Sequence, residues 1–161
     1  MIIALKDLTS IRGQHKKQTI VYIGGTFDLI HLGHVRSFEE AKKLGDILVV
    51  SVDSDEATRH YKPDGRPIIN EKQRASMVDA LKVVDYVIIN PLGDITKHPY
   101  NEINVIERLK PDIFVTSHPE GWRPIFKQSE EFKPEVIGFK HDLAPIHTSD
   151  IIAKIRSANT N

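Results

Sequence analysis

The stretch TIVYIGGTFDLIHLGHVRSFEEAKKLGDILVVSVDSD, residues 19–55, decides the fold of this chain. Its two ends, residues 19–25 and 46–55, are rich in β-branched residues and bounded by glycine or aspartate, which is typical of strands. Between them, the segment VRSFEEAKKLG places apolar residues three positions apart, which is a helical spacing. The stretch therefore predicts a strand, a helix and a second strand.

The same alternation continues to the end of the chain. Helical spacing recurs in NEKQRASMVDALKV (70–83) and NEINVIERLK (101–110), and strand-like runs follow in VDYVIIN (84–90), DIFVTS (112–117) and PEVIGF (134–139). Strands that alternate with helices and are apolar almost throughout favour a parallel sheet covered on both faces. The predicted fold is α/β, a Rossmann-like doubly wound parallel sheet of about five strands with helices on both faces.

The same patterns suggest how the chain is organised. We expect one folded domain over residues 18–156, a polar N-terminal lead-in over 1–17 and a frayed tail over 157–161. Two segments with proline and glycine, HYKPDGRP (60–67) and SHPEGWRP (117–124), are predicted to be loops. Both would open at the carboxyl edge of the sheet, where such folds bind their ligands.

Composition excludes several classes of function. Lysine plus arginine and aspartate plus glutamate number 22 each, so no overall field draws the chain to nucleic acid or to an anionic membrane. The absence of cysteine removes disulfides, thiolate metal sites and cysteine nucleophiles. No signal peptide and no apolar run of roughly 20 residues is present, so we expect a cytoplasmic protein that binds neither membrane nor nucleic acid.

The loop after the first strand has the features of an anion site. Gly24 and Gly25 are expected to let the backbone turn tightly and to leave room for a ligand. A helix that begins near His31 would direct free N–H groups and a partial positive charge to the same place. Neither the GxxxxGK[ST] phosphate loop nor the GxGxxG dinucleotide turn occurs in the chain.

His31 and His34 are the reactive groups of this loop, and their spacing places both on one face of the first helical turn. They could ligate a metal, but the HExxH pattern is absent and no third ligand is apparent, so no metal site is predicted. They could also be incidental histidines. The shared glycine-loop and helix-start context favours a third role, donation of hydrogen bonds to a phosphate.

Four short motifs together resemble a known family: GTFD (25–28), HLGH (31–34), SDE (54–56), and RPI (66–68) with the later Arg74. They are similar to the signature of the HxGH nucleotidyltransferases, the cytidylyltransferase-like superfamily, from about residue 18 to residue 156. The nearest patterns are those of the glycerol-3-phosphate cytidylyltransferases and of the adenylyltransferases that make ADP-heptose.

The resemblance implies a reaction. A phosphate oxygen of a small phosphorylated polyol or sugar would attack the α-phosphorus of CTP or ATP and release pyrophosphate, with Mg²⁺ bound to the nucleotide. A phosphate oxyanion needs no strong base, so catalysis would consist of positioning and of stabilising charge on the phosphoryl oxygens. Relatives also imply a homodimer.

The resemblance further implies which residues form the site. His31, His34 and Lys62 would be catalytic. The residues implied to bind the nucleotide are Gly24, Gly25, Thr26, Phe27, His31, Gly33, His34, Arg74, Thr148 and Ser149. Those implied to bind the acceptor are Asp28, Lys62, Arg66, His118 and Trp122. For Phe27 the favoured interpretation is packing in the core beneath the loop. For Asp28 it is that the carboxylate holds the loop by accepting hydrogen bonds from backbone N–H groups.

Two departures from the family pattern leave the substrates open. Cytidylyltransferases have RTEGISTT before the last helix, whereas this chain has Asp142 in place of the arginine and keeps hydroxyls only at Thr148 and Ser149, which would also cap that helix. Residues 116–122 replace a glycine-aspartate run, and Trp122 could stack on a ligand or shield the core. The alternatives are a non-catalytic nucleotide sensor or an FAD synthase-type adenylyltransferase.

Overall fold

The computed structural model describes residues 1–63, 65–93, 101–127, 133–139 and 146–158. A short 3-10 helix spans Leu5–Asp7. The helices are α1 Leu8–Gln14, α2 Leu32–Lys42, α3 Asp55–Tyr61, α4 Glu71–Asp79, α5 Glu102–Leu109, α6 Pro119–Lys127 and α7 Thr148–Ala158. The strands are β1 Ile20–Gly25, β2 Ile47–Asp53, β3 Tyr86–Asn90, β4 Ile113–Thr116 and β5 Glu135–Gly138.

The five strands form one parallel sheet in the order β3-β2-β1-β4-β5. Successive strands proceed outward from β1 through β2 to β3, and the chain then returns to place β4 on the other side of β1. The direction of winding therefore reverses between β1 and β4, and the crevice for a ligand lies at their carboxyl ends. The predicted fold class is confirmed.

Alternation along β1 divides the core into two layers. Val21 and Ile23 face the first layer, together with Phe38 of α2, whereas Ile20 and Tyr22 face the second layer. Successive side chains of a strand point to opposite faces, so a strand that is apolar throughout supplies both layers.

The N-terminal residues are part of this core, unlike the polar lead-in expected from sequence. Leu8 and Ile11 of α1 are buried in the second layer, and α1 packs on α5. The amide of Ile3 donates to the carbonyl of Val87 at 2.9 Å. Two apolar residues three apart in a short polar segment give a weak helical pattern, and their burial depends on the α5 surface. At the other end, α7 continues to Ala158.

The predicted loop at 117–124 is wrong, because most of it forms α6. Pro119 is the first residue of this helix, a position where the missing N–H costs nothing. Trp122 and Phe126, four residues apart, are buried together in the second layer. Their common face holds the helix on the sheet even though Pro124 lies within it.

Candidate functional site

A cavity of about 680 Å³ opens at the carboxyl ends of β1 and β4. It is bounded by the β1–α2 loop, the segment between α3 and α4, and the face of α7. The predicted site residues that line it are Gly24, Gly25, Thr26, Phe27, Asp28, His31, Gly33, His34, Lys62, Arg66, Thr148 and Ser149. The fold therefore brings most of the predicted site to one place.

The backbone of the β1–α2 loop differs from the expected glycine turn. Gly24 and Gly25 are the last residues of β1, and the left-handed conformations belong to Phe27 (φ 49°) and Leu29 (φ 50°). A Cβ on Gly25 would lie 3.1 Å from the Phe27 ring. The glycines are thus needed for close packing, and the turn stores its strain at two bulky residues, as ligand-binding loops often do.

His31 caps helix α2. Its backbone is extended, and its Nδ1 accepts a hydrogen bond from the amide of Gly33 at 3.2 Å. Because Nδ1 acts as the acceptor, the proton of the neutral ring is assigned to Nε2, which is left as a donor. The His34 ring stacks on the His31 ring with a centroid distance of 3.8 Å and an interplanar angle of 22°.

Both imidazoles are held in the neutral form. Burial above all, together with the neighbouring His31 and Arg66, lowers the pKa of His34 to about 4. Burial also lowers the pKa of His31, with a contribution from His147. The Nδ1 of His34 is buried and has no hydrogen-bond partner among the described residues. At neutral pH the pair offers N–H groups rather than positive charge.

Asp28 organises the floor of the cavity. Its buried Oδ2 accepts from Arg66 Nε at 2.6 Å and from the Ile68 amide at 2.9 Å, and its Oδ1 accepts from the Ile69 amide at 3.0 Å. Its carbonyl accepts from Thr148 Oγ1 at 2.9 Å. Asp28 therefore holds Arg66 and the start of α7 in place, and its carboxylate is enclosed by donors from the chain itself.

Arg74 does not reach the cavity, which corrects its predicted role in nucleotide binding. Its side chain is fully buried, with Nε donating to the Ile69 carbonyl (2.8 Å), Nη1 to the Thr26 carbonyl (2.5 Å) and Nη2 to Asp55 Oδ1 (2.7 Å). These bonds use all three nitrogens of the guanidinium. Arg74 joins the β1–α2 loop to α3 and α4 and supports the site from behind.

Two predicted acceptor residues also lie outside the cavity lining. Trp122 is buried against Phe114 and Phe126, with ring centroids 5.2 Å and 5.9 Å away, so it shields the core. His118 is exposed before α6, with its Nδ1 2.8 Å from Ser117 Oγ. Asp142 lies outside the described residues.

Several lining residues escaped the sequence analysis. On α7, Ser149 is followed at helical spacing by Ile152, Ala153 and Arg156, so the predicted helix and its first lining residue were a signal for Arg156. A second signal was the position of residues at the carboxyl ends of neighbouring strands, where ligands of such folds bind. The missed residues are Ile23, Ser37, Pro63, Gly65, Ile68, Val115, Thr116, Ser117, Phe139, Ile146, His147, Ile152, Ala153 and Arg156.

The cavity is arranged for anions. Helices α2 and α7, of eleven residues each, both begin at it, and each N-terminus carries a partial positive charge. Lys62, Arg66 and Arg156 add full charges. Across the described ranges, no group of three or more histidine and carboxylate side chains could hold a metal ion. The donors fit phosphate oxygens.

A Rossmann-like sheet with neutral histidines and cationic side chains at its switch point defines a phosphate-binding α/β enzyme. The cytidylyltransferase-like family model matches residues 22–154, and the chain belongs to this family. It is a nucleotidyltransferase, as the motifs predicted. In the parts of the chain that the structure describes, no helix is long and apolar enough to cross a membrane.

Curated relatives agree with this assignment. The chain is 38% identical to the bifunctional protein HldE of Helicobacter acinonychis (strain Sheeba) over 98% of its length and 32% of that protein. It is 35% identical to the HldE of Helicobacter pylori (strain J99 / ATCC 700824) over 92% of its length and 30% of that protein. The chain thus spans about a third of these two relatives.

Solved structures share the fold. The lipopolysaccharide core biosynthesis protein from Thermoplasma volcanium GSS1 superposes with a TM-score of 0.63 and 29% identity, covering 76% of this chain and 97% of that one. A pantothenate synthetase from Thermus thermophilus superposes with a TM-score of 0.58 at 14% identity, covering 86% of this chain and 61% of that one. The latter shows likeness of fold alone.

Proposed function

We propose that this enzyme transfers AMP, or CMP, from the nucleoside triphosphate to a sugar phosphate of the heptose-phosphate type and releases pyrophosphate. The observation that carries the proposal is the stacked neutral pair His31 and His34 at a helix N-terminus, in the same cavity as Lys62 and Arg66. Such a cavity holds donors for two phosphorylated substrates, as a transfer between phosphates requires.

The triphosphate is assigned to the wall formed by α2 and α7. His31, His34 and the amides of the first turn of α2 would bind the α- and β-phosphates, and Ser149 at the start of α7 would bind the outgoing pyrophosphate. Neutral imidazoles suit this role, because their N–H groups donate hydrogen bonds to phosphate oxygens without the rings having to carry a positive charge. Gly24, Gly25 and Gly33 would allow the nucleotide close to the backbone.

The acceptor phosphate is assigned to Lys62 and Arg66. Asp28 occupies Nε of Arg66, which leaves the two terminal nitrogens of the guanidinium for the cavity. Two parallel N–H groups fit two oxygens of a phosphate. Asp28 is thus assigned to the acceptor site through Arg66, as a positioning residue.

In the reaction, an acceptor phosphate oxygen forms a bond to the α-phosphorus while the bond from that phosphorus to the pyrophosphate oxygen breaks. The histidines and Lys62 would stabilise the charge that develops on the phosphoryl oxygens. Mg²⁺ bound to the nucleotide would neutralise further phosphate charge. The nucleophile is already an anion, so no side chain has to remove a proton from it.

The sugar acceptor rests on similarity. The motif run from SDE to VDYV resembles the adenylyltransferases that make ADP-heptose, and one structural neighbour is described as a lipopolysaccharide core biosynthesis protein. The HldE relatives favour ATP over CTP, whereas GGTFD resembles the cytidylyltransferase loop. We also propose that the enzyme is cytoplasmic, where both triphosphates are available, and homodimeric.

The test is pyrophosphate release with Mg²⁺, crossing ATP and CTP with heptose-1-phosphate, glycerol-3-phosphate, phosphoethanolamine and FMN. Release with ATP and heptose-1-phosphate supports the proposal. Release only with FMN points to the FAD synthase alternative, and release only with CTP and glycerol-3-phosphate corrects both substrates. Nucleotide binding with no release across the panel would favour a non-catalytic sensor.

A further inference from the structure

The proposed mechanism leaves one buried acid without a role. Glu102, the first residue of α5, is 7% exposed, and its Oε2 has no hydrogen-bond partner among the described residues. An unpaired carboxylate oxygen in the interior costs free energy, so such a group calls for an explanation.

Glu102 lies directly behind the cavity wall. A Cβ placed on Gly24 would be 2.9 Å from Ser51 Oγ, 3.2 Å from Tyr22 Oη and 3.3 Å from Glu102 Oε1. Gly24 itself lines the cavity. Three side-chain oxygens therefore lie beside Gly24, in the space that a side chain would need, at the point where β1 becomes the phosphate loop.

A second buried acid holds the next part of the same loop. Asp53, at the end of β2, is 9% exposed, and its Oδ2 accepts from Thr26 Oγ1 at 2.9 Å. The positive charges that act on Asp53 are those of Arg74 and Lys62, whereas the charge of Asp53 opposes ionisation of Glu102. One acid therefore lies beside Gly24 and the other accepts a hydrogen bond from Thr26, so both adjoin the segment from Gly24 to Thr26.

We propose that Glu102 is a positioning residue that keeps the segment from Gly24 to Thr26 in its working geometry while its carboxyl is protonated, so that loss of this proton slows nucleotidyl transfer. The inference rests on the proposed function. With Glu102 neutral, Asp53 carries the negative charge that Thr26 requires. With both ionised, repulsion between two buried carboxylates is relieved by movement of the backbone between them.

The pKa values place this change in the physiological range. Burial, and after it the charge of Asp53, raises the pKa of Glu102 from 4.5 to about 7, against the lowering effect of a bond to its own backbone. Burial also raises the pKa of Asp53, which the bond from Thr26 counteracts. Among the described residues, Tyr22 also faces Glu102, and burial keeps it un-ionised by raising its pKa well above 10.0.

The experiment compares the wild type, Glu102→Gln and Glu107→Gln, an exposed position on the same helix, at pH 6 and pH 8. Activity is measured with a triphosphate and acceptor that release pyrophosphate. From pH 6 to pH 8, kcat of the wild type should fall about tenfold more than kcat of Glu102→Gln, because the protonated fraction of Glu102 falls about tenfold around a midpoint near 7. Glu107→Gln should follow the wild type. Parallel profiles for the wild type and Glu102→Gln would overturn the proposal.

A second readout separates this inference from the proposed function. ATP affinity is measured by calorimetry for the same three proteins at both pH values, and the wild type should lose affinity relative to Glu102→Gln as the pH rises. If no acceptor supports turnover, the proposed function fails, and the affinity comparison still decides the role of Glu102. If Glu102→Gln does not fold, an infrared titration of the wild type replaces it, and absence of a protonated carboxyl at pH 6 contradicts the proposal.

Discussion

Replacement of Asp28 by asparagine tests the central support of the cavity. In the wild type, Oδ2 of Asp28 accepts from Arg66 Nε at 2.6 Å and from the Ile68 amide at 2.9 Å, and neither the carboxylate nor most of the Arg66 side chain is exposed. An asparagine NH₂ at this place would face two donors, while its oxygen could still accept from Ile69. The variant therefore loses two hydrogen bonds to the carboxylate, from Arg66 and from the Ile68 amide, and leaves Arg66 without its counter-ion.

The expected loss of unfolding free energy is about 3 kcal/mol, from about 1.5 kcal/mol for each of the two hydrogen bonds to the carboxylate. Urea unfolding measures it. The matched control is Glu120→Gln, which removes a carboxylate from an ion pair with Arg123. The Glu120 side chain is 84% exposed. An exposed pair of this kind contributes about 0–1 kcal/mol, so the control should unfold almost as the wild type does.

The same substitution has a functional consequence. If Asp28 orients Arg66 toward the acceptor phosphate, Asp28→Asn should raise the KM of the acceptor about tenfold, with a smaller change in the KM of the nucleotide. Equal unfolding free energies for the variant and the wild type would show that the Asp28 carboxylate is not enclosed by hydrogen-bond donors. An unchanged acceptor KM with reduced stability would refute the role of Arg66 and leave the packing argument intact.

Further variants test the other parts of the site. His34→Ala should lower kcat about a hundredfold with a modest change in nucleotide affinity, because a donor to the transition state is lost; turnover within a few-fold of the wild type would remove His34 from catalysis. The pKa of His34 is about 4 in the folded protein, below the ordinary 6.5, so the unfolded chain takes up the proton first and this group reduces stability as the pH falls from 6.5 toward 4. An NMR titration of the imidazole measures the midpoint, and a value near 6.5 would contradict the burial that causes the shift. Arg74→Met should lower the unfolding free energy by about 3 kcal/mol, because Asp55 and two carbonyls lose their donor; a stable variant with impaired nucleotide binding alone would restore the role first predicted for Arg74.

The local pattern of the chain was enough to predict the architecture. Apolar runs such as DILVVSVDSD (46–55) can be buried on both faces only in a covered parallel sheet, and helical spacing between them fixes the alternation. Placement of His31 and His34 followed from the same reasoning, because a helix start after the first strand lies at the switch point in any such fold. These inferences depend on periodicity and chain order, which a sequence displays directly.

Tertiary contacts decided which polar residues face the ligand. Arg74 and Arg66 are both arginines near the RPI motif, yet Arg74 is turned inward by Asp55 and two carbonyls, whereas Arg66 is turned toward the cavity by Asp28. Trp122 is on a helix that packs on Phe114, so it lies in the core. No local pattern distinguishes the two arginines, because each is oriented by a carboxylate far along the chain.

The role of Glu102 is the clearest instance of this division. In the sequence it is one acid among 22, at the start of an amphipathic helix, where an exposed charge is usual. Its raised pKa and its place beside Gly24 arise only when the first residue of α5 is buried near the ends of β1 and β2. The sequence by itself determined the strands, the helices between the first strands and the location of the phosphate loop. Three-dimensional packing determined the N-terminal helix, α6, and the charge and direction of the side chains around the loop, because desolvation and partner choice exist only in the folded chain.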